Sequence, residues 1–541
     1  MRDVASPRVF SFSRAEWLFL LAVICSWGLL AVALGKDAGW DFLNYHWYVP
    51  YALLHGRLGF DMAVAHQATY FNPLIHVPFY LLATLTSSWV ALFYLGALQG
   101  LNVIPLYWMS RSALGPSGPR WCAIALPLIG MLGSTVVSMI RKTSYDQSLL
   151  SALVLSGLAL VIVGRHTLPR PTRAAAALAG LSGCLVGLAV GLKPAEGPYA
   201  LGIALALLVP AGALGARLTR LAAGALGGTL GMLLAGGTWF VMLARYSGNP
   251  LFPFFNGFMH SPLIGAGSFL DSHFIPHGWW AILTFPIRFA IHYGVADDVP
   301  FRELRIPMLY VLIPLASLCW VCRRRAPAPL VAPEVTWILF AFCAASYAAW
   351  LRELAVYRYI VALEMLAPLV IAAAVGMLPL SMRARIALAG LLLAVSAALG
   401  RYAPGPYVSL GDPYVQLSPL SIPRPAQSMI LMAGYEPMAY LIPSLPATIP
   451  VLRIQGWLAG PEDGSGLSTA MRERVAGYHG DLYLMSAPLE REQAVATLAA
   501  LHLRIEASGC QQLRTNLGGP YDFCPLTLEP PTAAGFTADR W

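Results

Sequence analysis

Charge is what this chain has least of. Only 11% of its 541 residues are Asp, Glu, Lys or Arg, against 57% hydrophobic. A soluble globule carries about 25% charged residues, so that class is excluded. The apolar sequence suffices for many membrane spans of about 20 residues each. Acid is scarcer than base, and the formal net charge is +9. The excess does not form a nucleic-acid surface, because the arginines fall in short gaps between apolar runs, as the positive-inside rule describes. The C-terminal tail contains neither G-x-G-x-x-G nor a P-loop, so no nucleotide site is expected there. Histidine spacing matches no compact zinc motif. No internal repeat of the kind common in transporters is found. Cysteines number eight. Cys25, Cys122, Cys184, Cys319, Cys322 and Cys343 lie in apolar runs and read as inert thiols. Cys510 and Cys524 lie in a polar tail and are predicted to form a disulfide if that tail is extracytoplasmic.

What the chain does contain is an alternation of apolar runs and arginine-rich gaps. Eleven spans are predicted, at about 17–35, 88–110, 121–139, 147–164, 174–191, 198–214, 221–243, 306–322, 335–351, 359–379 and 386–400. The basic gaps at Arg111 and Arg120, 165–173, 216–220, 323–325 and 381–385 are read as cytoplasmic, with the N-terminus. The loops 36–87 and 244–305 and the whole tail from 401 then lie on the other face. Residues 72–86 and 279–293 read as surface or re-entrant helices. The fold class is an α-helical polytopic membrane protein with a small C-terminal extracytoplasmic α/β domain. Its domains are a transmembrane region at 1–400, a proline-rich linker at 401–425 and an α/β domain at 426–541, where helix-like and strand-like segments alternate.

The chemistry-bearing residues gather on the outer face. Asp41 opens the helix-like segment DFLNYHWY, in which Asp41, Tyr45 and Tyr48 share a face at i, i+4, i+7. An acid there serves either as a helix cap or as a general base, and the local sequence leaves both open. Asp61 and, in the long aromatic loop 248–276, Asp271 are further acids. Lys193, between two spans, and Arg358, at the head of another, are candidates to hold a phosphate, with Arg141 adding charge at the same face. Glu364 lies about two turns inside a span. A buried carboxylate there needs a partner, so it counts as a candidate substrate contact.

The segments WDFLNYHWYVPYALLHGRLGFD, QATYFNPLIHVPFYLL, GLKPAEGPYALG, GNPLFPFFNGF and YRYIVALE resemble those of GT-C superfamily integral-membrane glycosyltransferases. They look like those of bacterial members near glycosyltransferase family 87. The resemblance implies transfer of a hexosyl or pentosyl group from a polyprenyl-phosphate-linked sugar to a glycan, lipid or protein acceptor, with inversion. The site would be the outer face of the bacterial cytoplasmic membrane. It implies Asp41 as general base, while the reading of the residues themselves makes Lys193, Arg358, Arg141, Glu364, Asp61, Asp271, Tyr45 and Tyr48 the candidate substrate contacts. Many relatives carry two adjacent acids where this chain has Asp41 and Phe42. No cofactor is therefore certain, and a divalent metal stays open. Membrane lipids are expected partners and nucleic acid is not. The alternatives are a transporter or flippase of lipid-linked sugars and a non-catalytic envelope scaffold.

Overall fold

The computed structural model describes residues 12–114, 119–141, 146–267, 269, 272–298, 300–322, 329–402, 407–460 and 463–528. Among these, eight helices are long and apolar enough to cross a membrane, or nine if the bent pair Arg120–Met131 and Ser134–Ile140 is one span. The chain is thus a multi-pass membrane protein. Helix occurs at each of the eleven predicted positions, but Pro194–Leu208 and Arg305–Val321 are shorter than a full span. The first begins at a proline directly after Lys193, which closes the preceding helix with an extended backbone. The predicted surface helices appear as Val77–Leu85 and Trp279–Ile291. The latter leaves Trp279, Trp280, Ile282, Leu283, Ile287 and Ile291 exposed, as a helix lying in an interface would.

The chain divides into two compact units. The helical unit holds residues 1–36, 89–238 and 271–405. Its centre is Val361–Gly376, in which every residue is buried. A helix apolar on all sides belongs in an interior, so this one is the core about which the others pack. Helices Arg173–Leu192 and Leu214–Ser247 approach closely enough to touch backbones. A Cβ on Gly187 would lie 2.0 Å from the Gly228 carbonyl oxygen, and one on Gly183 2.0 Å from that of Gly224. Small residues spaced by four are how apolar helices gain contact where no hydrophobic force separates protein from lipid.

The α/β unit holds residues 37–88, 239–270 and 406–541. Its sheet runs Val451–Arg453, Ser428–Ala433, Asp481–Ser486, Tyr521–Leu528 and Leu503–Ile505 in that order, and Gln511–Leu513 also pairs with Tyr521–Leu528. The first three strands are parallel and joined through helices such as Gly466–Ala476. Tyr521–Leu528 is antiparallel to its neighbours. Cys510 and Cys524 are joined in a disulfide.

The unit's boundaries depart from the sequence-based division. The first loop, 37–88, groups with the C-terminal sheet. Met62 bridges Leu452 at the edge of that sheet. Met62, Tyr70, Trp239 and Phe252 share one apolar core with Met429, Leu431 and Leu484. Contacts between residues hundreds of positions apart leave no local pattern, which is why a linear reading assigned this loop to the membrane region.

Candidate active site

In the α/β unit, residues Phe42–His46 form a π-helical turn that passes into the helix Tyr48–Leu54. Such wide turns recur at functional sites. The segment predicted as one regular helix is thus a π-helical turn followed by an α-helix. Tyr45 and Tyr48 are both buried. The Tyr45 ring packs edge-on against Phe71 and His76. Asp41 stands at the head of the turn, half-buried. Its backbone is already helical, with φ −62° and ψ −40°, and its side chain makes no capping hydrogen bond. A capping residue has extended backbone and bonds the N–H groups ahead of it. The capping role is thereby removed. Among the described residues, no hydrogen bond or ion pair engages the Asp41 carboxylate.

The other acids of this loop are committed. Asp37 Oδ1 accepts the Gly39 N–H at 2.7 Å. Asp61 is buried and accepts from Arg57 Nη2 at 2.7 Å, from the Tyr48 hydroxyl at 2.9 Å and from the Val451 N–H at 3.0 Å. Burial pushes the Asp61 carboxyl above its ordinary value, and the Arg57 guanidinium works against that rise. Arg57 in turn donates to the carbonyls of Ala447 and Ile449, both at 2.7 Å. Asp61 and Arg57 form a buried clamp that ties the first loop to residues 447–451.

In the helical unit, Lys193 and Arg358 are far apart in sequence but meet at one ring. Lys193 Nζ lies 5.2 Å from the centre of the Tyr359 ring, and the Arg358 guanidinium carbon 5.4 Å from it. Each also holds a carboxylate. Lys193 Nζ is 2.5 Å from Asp146 Oδ1, and Arg358 Nη1 is 3.6 Å from Asp297 Oδ1. Beside Lys193, the buried Glu196 has neither carboxylate oxygen hydrogen-bonded among the described residues. The ring of Tyr359 thus organises two cations, with three acids around them.

No family model matches the chain, and no curated protein does. One solved structure, the apo oligosaccharyltransferase of Archaeoglobus fulgidus, aligns with 91% of this chain and 72% of its own, at 14% identity and a TM-score of 0.41. A likeness of that strength carries no argument, so the site stands on its own residues.

Glu364 has a structural duty. The helix Arg120–Met131 breaks at Leu132 and resumes at Ser134 with a bend of 64°. Both ends at such a break expose polar backbone that needs partners inside a membrane. Arg305 supplies them on one side, donating to the carbonyls of Ile129 at 2.9 Å and Gly130 at 3.2 Å. Carboxylates supply them on the other. Glu303 accepts the Ser134 N–H at 2.9 Å, and Glu364 accepts that of Thr135 at 3.0 Å. Glu303 also lies 3.7 Å from the Arg305 guanidinium. The acid predicted to face substrate spends its Oε1 at a helix start, where negative charge meets the positive end of the dipole, while its buried Oε2 makes no hydrogen bond among the described residues.

Asp271 lies outside the described residues. Arg141 ends the helix Ser134–Arg141, and its side chain lies outside them too. Sequence reasoning placed Asp146 and Asp297 among the outer-face acids without choosing either as a site residue, and it missed Tyr359. Asp146 was visible as an acid at the head of a span, which normally needs a cation. Nothing in the sequence paired it with Lys193. As for a metal, a two-acid site would need a carboxylate directly after Asp41. Phe42 stands there, its ring packed on Phe79 and Tyr414. The residues around Asp41 do not fit such a site, and no step below is routed through a metal.

Proposed function

We propose that this chain is a GT-C type glycosyltransferase. It moves a sugar from a polyprenyl-phosphate donor to an acceptor at the outer face of the bacterial cytoplasmic membrane, with inversion. The N-terminus is cytoplasmic and the C-terminal domain periplasmic, on the strength of the arginine pattern. The observation that carries the catalytic part is the state of Asp41: of the three acids in the first loop, it alone is half-exposed and free of structural bonds.

In this reading, the Asp41 carboxylate takes the proton of an acceptor hydroxyl as that oxygen attacks the anomeric carbon. The bond from that carbon to the phosphate oxygen breaks, and its electron pair leaves with the lipid phosphate. Fixed cations away from bulk water stabilise that departing charge. Lys193 and Arg358, whose cations share the Tyr359 ring, are assigned this role. Tyr45 and Tyr48 support the segment that carries Asp41.

One observation favours a second reading, a transporter of lipid-linked sugars. A buried acid without a hydrogen bond, such as Glu196, beside an ion pair is the kind of group that couples ion movement to transport. The deciding experiment incubates the purified full chain with a radiolabelled undecaprenyl-phosphate hexose and follows release of the polyprenyl phosphate together with label in acceptor. Turnover that requires Asp41 supports the transferase. Movement of intact donor across proteoliposomes, without turnover and dependent on Glu196, supports the transporter.

A further inference from the structure

Four rings of the α/β unit cluster face to face or tilted: Trp40, His66, Trp457 and Tyr435. Trp40 and Trp457 have centroids 5.1 Å apart at 28°, and His66 and Trp457 4.7 Å apart at 31°. His66 lies 6.4 Å from Tyr435 at 13°, and Tyr435 6.2 Å from Trp457 at 41°. In a hydrophobic core such rings would be covered. Here Trp457 is 50% exposed and Tyr435 39%, while His66 beneath them is fully buried.

The mounting is polar and rigid. The Trp457 N–H donates to His66 Nδ1 at 3.2 Å, which leaves the ring proton on Nε2, and Nε2 meets the Tyr435 carbonyl at 3.2 Å. One neutral imidazole therefore holds both backbone segments that bear the exposed rings. Burial keeps it neutral by pulling its pKa down to about 2. Its backbone sits at φ +54°, a left-handed conformation that a histidine holds only when its surroundings enforce it. Below it, the buried Arg453 donates to the carbonyls of Val64, Gly434 and Glu436. The Tyr435 and Glu436 N–H groups are held by the Glu490 carboxylate, at 2.7 and 3.2 Å. Hydrogen bonds joining His66, Arg453 and Glu490 to the backbone segments that bear two exposed aromatic rings mark a preorganised surface, whose ordering cost is met before any ligand arrives.

We infer that Trp40, Trp457 and Tyr435 form a saccharide-binding platform that takes a sugar ring of the acceptor. The C–H face of a pyranose is polarised positive by its ring and hydroxyl oxygens, and it rests on the negative face of an aromatic ring. Trp40 directly precedes Asp41 in the chain, so the platform and the acid assigned as base belong to one segment of the α/β unit. The acceptor is then a glycan rather than a lipid or a peptide. This inference rests on the transferase reading for the word acceptor, but the binding itself does not need it.

The test uses the full chain in lipid nanodiscs, free of sugar-headed detergent, titrated with maltohexaose, cellohexaose, chitohexaose and α-1,6-mannohexaose while tryptophan fluorescence is read. Saturable binding of at least one is expected, weakened about ten-fold or more, over 1.4 kcal/mol, in both Trp457→Ala and Tyr435→Ala. Trp279→Ala, on an exposed tryptophan of the helical unit, is expected to leave it unchanged. Absence of binding for all four at about 10 mM, or affinities indifferent to both variants, overturns the platform. The two readings fail separately. Saccharide binding without transfer from any polyprenyl-phosphate sugar sinks the transferase alone, whereas Asp41-dependent transfer without saccharide binding sinks the platform alone.

Discussion

Replacing Asp41 by Asn separates catalysis from structure more cleanly here than at any other acid. The amide keeps the shape of the carboxylate but cannot accept a proton. Loss of a general base costs about 10²–10⁴-fold in rate, which at about 1.4 kcal/mol per decade is roughly 3–5 kcal/mol of transition-state stabilisation. The structural cost follows from the geometry. A capping acid contributes about 0.5–2 kcal/mol, but Asp41 makes no capping bond and its backbone is helical. Both Asp41→Asn and Asp41→Ala should therefore leave stability within about 0.5 kcal/mol, the usual range for a substitution that breaks nothing. The assay pairs initial rates of label transfer from a polyprenyl-phosphate hexose with thermal unfolding of the same preparations. Donor affinity should hold, since the base faces the acceptor. Transfer by Asp41→Asn within about three-fold of the parent, well short of the loss that removing a base entails, refutes the assignment. Loss of transfer accompanied by a collapsed unfolding midpoint refutes it equally, because Asp41 would then be structural.

Asp61→Ala should behave in the opposite way. It strands the Arg57 guanidinium in a buried clamp, and breaking one partner of such a pair costs about 3–5 kcal/mol. A wild-type unfolding midpoint for the variant would show the clamp to be incidental. Acid should weaken the α/β unit through His66, whose folded pKa of about 2 lies below the ordinary 6.5. The unfolded chain then binds the proton that the folded chain refuses, so stability is full above pH 6.5 and is lost as pH falls below it. Between pH 7 and 5 the loss from this group is about 2 kcal/mol. In His66→Asn that component of the pH dependence should vanish, as read from midpoints at the two pH values, and an unchanged slope would deny it. Glu364→Ala should remove the acceptor for the Thr135 N–H and destabilise the bent helix by about 1–3 kcal/mol without altering donor affinity. A selective loss of donor affinity at unchanged stability would return Glu364 to the site.

The membrane class, the positions of the helices and the α/β character of the tail were legible in the sequence. They depend on local quantities: apolar run length, turn residues and the alternation of short strand-like and helix-like segments. Asp41 was legible as an acid at a helix start. Its freedom from capping was not, because that depends on a π-helical turn that no residue pattern announces. Helix occurs at the predicted positions, but eight or nine full-length spans, not eleven, are found among the described residues, because Lys193–Pro194 and the break at Leu132–Gly133 shorten or bend helices whose composition reads as continuous.

The roles of the remaining charges were decided only by tertiary structure. Lys193 and Arg358 lie 165 positions apart by number, and a single ring, Tyr359, brings them together. Glu364 reads as a substrate contact until Gly133 lets the broken helix come close enough for its N–H groups to reach the carboxylate. Asp61 and Arg57 read as loop charges until residues 447–451 arrive to be clamped. His66 reads as one histidine among four in its loop until Tyr435 and Trp457 take its two nitrogens. A sequence shows which groups must find a partner, because burial makes an unpaired charge or hydrogen-bonding group costly. It does not show which partner, because that depends on chain segments that only folding brings within 3 Å.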